Sequence, residues 1–86
     1  MIIEIFEARG FSEPDTDLDS LILNLNRKHS EVMVKKLDVL NRDMMKRHKD
    51  VLRLLKENSV EILPLIKIDG KLVKPDEFQK LVRKYL

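Results

Sequence analysis

Residues 60–73, Val-Glu-Ile-Leu-Pro-Leu-Ile-Lys-Ile-Asp-Gly-Lys-Leu-Val, constrain the fold of this 86-residue chain more than any other stretch. They predict an apolar strand, a two-residue turn and a second strand. Asp69-Gly70 suits a type I′ turn, in which both central residues take positive φ and the twist matches the flanking strands. Pro64 lacks the N–H that an interior ladder position donates, so it belongs at the head of the first strand. Leu63 before it is pushed toward an extended backbone.

The elements before this hairpin follow from periodicity. Ile2-Ile3-Glu4-Ile5-Phe6 is apolar on both parities except at Glu4, which predicts a strand buried on both faces and central in its sheet. Residues 7–16 form a loop with Gly10 and Pro14, and Asp15 or Asp17 caps a first helix that runs to about His29. Leu18, Leu21, Ile22 and Leu25 supply its apolar face. Residues 31–37, with Val32, Met33, Val34 and Leu37, predict a second strand. One continuous helix over 44–58 follows, from the spacing of Met44/Met45, His48, Val51/Leu52 and Leu54/Leu55.

After the hairpin, Pro75 and the acidic pair Asp76-Glu77 open a last helix. Its inward stripe is Phe78, Leu81, Val82 and Leu86, with Tyr85 beside them. The order βαβαββα predicts one α/β domain spanning residues 1–86. It has a four-stranded mixed sheet, helices on both faces and a right-handed parallel crossover in the first βαβ unit. A chain of this length has no room for two cores.

Composition narrows the chemistry. Hydrophobic residues are 43% of the chain and charged residues 37%, which suits a soluble globular domain with a charged surface. No apolar run approaches the roughly 20 residues that span a bilayer. Met1-Ile2-Ile3-Glu4 leads directly into a strand without a signal-peptide core, which predicts a cytoplasmic home and no membrane contact. The chain has no cysteine, which removes disulfides, thiolate nucleophiles and thiolate metal sites together. The net charge of +2 is unevenly spread. The first twenty residues carry six acidic side chains against Arg9, a net −5, so the remainder carries +7.

The element order, the proline heading the third strand and the tight hairpin resemble the thioredoxin and glutaredoxin fold. Val32-Met33-Val34-Lys35-Lys36-Leu37, the helix over 44–58 and Ile62-Leu63-Pro64-Leu65-Ile66-Lys67-Ile68-Asp69-Gly70 are most similar to the arsenical-resistance metallochaperone and trans-acting repressor family. The likeness covers residues 31–75. It implies a cis bond before Pro64, with the backbone of Leu63 beside the loop after the first strand, as an edge that pairs with an extended peptide. A proline that merely shapes the turn is the alternative.

The departure from that family is chemical. Its cysteines lie in the loop after the first strand, where this chain has Ala8-Arg9-Gly10-Phe11-Ser12-Glu13-Pro14-Asp15. Ser12-Glu13-Pro14-Asp15 mimics a C-x-P-C site with Ser and Asp in the cysteine places, and neither residue performs dithiol exchange or binds a metalloid as a thiolate does. The expected function is therefore a redox-inactive, non-enzymatic binding or regulatory module. Phe11, Ser12, Glu13, Pro14, Asp15, Leu63 and Pro64 would contact a protein or peptide partner. The protein is expected as a monomer or weak homodimer.

Two alternatives come from other classes. A non-thiol enzyme or anion-binding protein would use the first helix N-terminus near Asp17, where the acidic residues argue against an anionic ligand. A nucleic-acid-associated regulator would use the basic segment 42–49, Arg-Asp-Met-Met-Lys-Arg-His-Lys. That segment lacks aromatic neighbours for base stacking and reads as a solvated helix face. Ser12, Asp15, Asp17 and Asp19 lack the spacing of an EF-hand loop and read as a helix cap, so neither a metal nor a cofactor is expected. His48 reads as a part-buried structural imidazole, and His29 as a cation at a helix end.

Overall fold

The computed structural model describes residues 1–8, 16–58 and 62–85 of the protein. Among these, eight elements follow in order: β1 (Ile2–Glu7), α1 (Thr16–Lys28), β2 (Met33–Asp38), α2 (Arg42–Met45), α3 (Lys49–Asn58), β3 (Leu65–Ile68), β4 (Lys71–Val73) and α4 (Pro75–Tyr85). The strands form a mixed sheet in the order β2-β1-β3-β4. β1 runs parallel to β2, with Ile3 opposite Val34, and antiparallel to β3, with Ile3 opposite Ile68. β4 pairs antiparallel with β3. The expected α/β class, mixed sheet and central first strand are all present.

Alternation along β1 and β3 sorts their side chains onto two faces. Ile3, Ile5 and Ile66 meet Leu18, Ile22 and Leu25 of α1 and Phe78 and Val82 of α4 in one buried cluster. Phe6 points the other way and joins Ala8, Val39, Met45 of α2 and Val51 of α3 in a second. The sheet therefore carries α1 and α4 on one face and α2 and α3 on the other. This explains why β1 reads as apolar on both parities.

The hairpin has the expected turn. Asp69 takes φ +49° and Gly70 φ +87°. Asp69 also ties the turn to the start of β1. Its Oδ1 accepts from the Ile2 amide at 2.8 Å, and its own amide donates to the Ile2 carbonyl at 2.9 Å. β3 starts at Leu65, directly after Pro64, as expected of a proline at the head of the strand. Residues 60 and 61 lie outside the described residues, and Ile62, Leu63 and Pro64 are not part of the ladder. The Leu63–Pro64 peptide bond is cis.

The continuous helix expected over 44–58 is corrected to two helices, so the order is βαβααββα. Asn41 starts α2 early. Its Oδ1 accepts from the Asp43 and Met44 amides at 3.1 and 3.2 Å, satisfying two of the donors a helix start leaves open. The helix then stops at Met45. The His48 amide donates to the Met45 carbonyl at 3.0 Å in a tight turn, and the His48 carbonyl accepts from Leu52 at 3.2 Å to begin α3. The break turns the His48 side chain onto the sheet, where polar partners wait for it.

The ends of the other elements move by a residue or two. β2 covers Met33–Asp38 rather than 31–37, and α1 ends at Lys28. In α4, Phe78 and Val82 are fully buried, Leu81 is half-buried and Tyr85 is exposed. Leu86 lies outside the described residues.

Candidate functional site

Of the seven residues expected to contact a partner, Leu63 and Pro64 are described. Phe11, Ser12, Glu13, Pro14 and Asp15 lie outside the described residues. Leu63 and Pro64 are half-buried, and Leu63 packs against the cluster around Phe6. Beside them runs a groove of about 610 Å³. One wall is the end of α3, at Leu54 and Asn58. The floor is Ile62, Leu65 and Leu72, and the far side is Pro75 and Glu77 at the start of α4. Leu72 is 37% exposed, an apolar side chain offered to the groove by an edge strand. Such a site can take an apolar side chain and offers strand backbone for main-chain pairing.

A second assembly, missed by the sequence reading, lies on the same sheet face under α3. Glu4 of β1 stands opposite Lys67 of β3 in the antiparallel register. The two are joined through an imidazole. Lys67 Nζ lies 3.1 Å from His48 Nδ1, and His48 Nε2 lies 3.3 Å from Glu4 Oε2. An ammonium has donors and no acceptor, so Nδ1 accepts from Lys67 and Nε2 faces the Glu4 carboxylate. Lys67 Nζ also donates to Asp50 Oδ1 at 2.9 Å. The side chains of Lys67, His48 and Glu4 are only 7%, 12% and 17% exposed.

Phe6 closes the assembly. Its ring meets the imidazole edge-on at 4.8 Å between centroids, and Lys67 Nζ lies 5.7 Å from its centre. Both nitrogens of His48 are engaged within the protein, which fits a structural imidazole. A signal for the assembly exists in the sequence. Glu4 and Lys67 are the charged residues of otherwise apolar strand cores, and a buried charge needs a partner. The helix break that delivers His48 gives no such signal.

Asp50 is held below its ordinary value of 3.8. Partial burial pushes its carboxyl up, and the hydrogen bond from Lys67, the Val51 amide and the Lys67 charge together outweigh that. Asp50 is half-exposed, so its link to Lys67 is partly screened by solvent.

The acidic run before and within α1 is described in part. Asp19 makes an ion pair with Lys36 of β2 at 3.1 Å, and Lys36 lies 3.9 Å from Glu7. This fastens α1 to the sheet. Among the described residues no group of three or more His, Asp or Glu is placed to hold a metal ion. Nor is any described helix long and apolar enough to cross a membrane.

His29 does more than sit at the end of α1. Its Nε2–H donates to the Tyr85 carbonyl at 3.0 Å, satisfying a carbonyl left open at the end of α4. In the segment 42–49, Met45 and His48 turn inward, while Arg42, Lys46, Arg47 and Lys49 are exposed.

No protein-family model matches the chain, and no curated protein matches it.

Proposed function

We propose that the protein is a thioredoxin-like binding module without redox chemistry, which takes an extended peptide along the backbone of residues 63–65. The observation that carries this reading is the placement of Leu63–Pro64 beside an apolar groove, at the entry to β3. The sheet order β2-β1-β3-β4, with helices on both faces, supports the scaffold. The lack of any cysteine supports a scaffold used for contact rather than thiol exchange. The peptide backbone pairs beside Leu63, and one apolar side chain enters the groove over Leu65 and Leu72. The sequence reading adds Phe11, Ser12, Glu13, Pro14 and Asp15 as further contacts, with Phe11 the apolar one; these lie outside the described residues.

Panning a random peptide library against the protein and measuring the selected peptides by calorimetry tests this function. Selected peptides should carry an apolar residue at one fixed position. They should weaken about tenfold when an amide of the peptide is N-methylated beside that residue, since main-chain pairing is then lost. Leu72→Asp should abolish capture. Binding that survives Leu72→Asp together with Pro64→Ala and Phe11→Ala would place the peptide elsewhere and overturn the reading.

A further inference from the structure

The outward face of α3 is a second surface, separate from the groove at Leu63–Pro64. Lys49, Leu52, Arg53 and Lys56 recur at intervals that place them on one side of the helix. All four are exposed, with Leu52 39% accessible. They surround a depression of about 550 Å³, and half-buried Leu55 completes its lining. Its apolar lining and its three cations occupy the same patch.

The interior of the protein makes this face cationic. Asp50, the acidic residue in the first turn of α3, turns inward to Lys67. Its carboxylate is thereby engaged by Lys67, although it stays half-exposed. Lys49, Arg53 and Lys56 make no ion pair with any described residue, whereas Lys46 before them is paired with Asp43 at 3.4 Å. With Asp50 engaged by Lys67, the three cations Lys49, Arg53 and Lys56 outnumber the other acidic residue of α3, exposed Glu57.

We infer that this face docks an acidic peptide segment whose carboxylates flank one apolar side chain. The carboxylates pair with Lys49, Arg53 and Lys56, and the apolar side chain covers Leu52 and Leu55. Charge complementarity selects an anionic partner. The apolar lining between the cations selects a peptide over a phosphate backbone, which has no apolar group to place there. Helix α3 also has no aromatic residue on which a base could stack. A single exposed leucine buries too little area to hold a helix on a membrane surface.

Fluorescence anisotropy with four labelled probes tests the inference. The probes are a short peptide with glutamates on either side of one leucine, polyglutamate of equal charge, a single-stranded DNA oligonucleotide, and phosphatidylserine vesicles. The leucine-centred peptide should bind, and tighter than the other three. The triple variant Lys49→Glu, Arg53→Glu, Lys56→Glu should weaken it at least about tenfold. Leu52→Ser should weaken it by a smaller factor, while Lys80→Glu, on exposed α4 surface, should leave it unchanged. Circular dichroism establishes that each variant is folded.

Failure of the leucine-centred peptide to bind would overturn the inference. Equal binding of polyglutamate, tighter binding of DNA or vesicles, or indifference to the triple variant would each do the same. None of these substitutions lies in the groove at Leu65 and Leu72, so this result and the fate of the peptide reading above are independent.

Discussion

Lys67 shows how one side chain decides its surroundings. It sits in the middle of an apolar strand and is 5% exposed, where an unpartnered ammonium is strongly disfavoured. Its partners come from two directions: His48 brings Glu4 into the network, and Asp50 comes from α3. Lys67→Met keeps the volume and removes the donor. It should cost about 1–2 kcal/mol in urea unfolding at neutral pH, a figure at the low end because Asp50 is open to solvent and can rehydrate. The pH dependence has a definite sign. The folded-state carboxyl of Asp50 is held below its ordinary value of 3.8, so its contribution is complete above that value. It is lost as pH falls through the lowered folded value. The difference between the two proteins should therefore be full above about pH 4 and shrink below it. A difference that stays constant to pH 2 would show that Asp50 and Lys67 are not coupled.

At the scale of elements, the break between α2 and α3 joins the fold to its surface. The apolar spacing over 44–58 suits an unbroken helix, and nothing local such as Pro or Gly interrupts it. Two forces outweigh that spacing. Asn41 caps a start three residues before Met44, and His48 gains partners on the sheet that it would not reach from a continuous helix. Asn41→Ala should remove the cap and cost about 1 kcal/mol. Melting followed by circular dichroism would register it. An unchanged midpoint would mean that Met45, fully buried in the second cluster, anchors α2 without the cap. The hairpin is the opposite case. Its turn was legible because Asp69-Gly70 satisfies a backbone requirement by itself, and both residues take positive φ as expected.

At the scale of the molecule, the single sheet divides the buried apolar side chains into two clusters, one on each face. Phe78 anchors the larger, joining α4 to β1 and β3 with no exposure. Phe78→Ala should cost about 3–5 kcal/mol, a large part of what a domain this small possesses. Equilibrium denaturation would measure it, and a cost under about 1 kcal/mol would mean that α4 contributes little to the fold. Charge is divided on the same scale. The first twenty residues are acidic and the rest basic, and the ion pair of Asp19 with Lys36 joins the two regions. The outward side of α3 carries three of those basic residues, Lys49, Arg53 and Lys56.

Periodicity, punctuation and turn chemistry were sufficient for the class of fold, the central place of β1, the mixed sheet and the geometry of residues 69 and 70. Each depends on neighbours within a few positions, and the chain records such information locally. The place of Pro64 directly before β3 was legible for the same reason. The groove of Leu54, Leu72 and Pro75 beside it was not, because its walls come from three elements. The network of Glu4, His48, Asp50 and Lys67 also required the tertiary structure. Its members are up to 63 residues apart, and sheet register together with a helix break brings them into hydrogen-bonding distance.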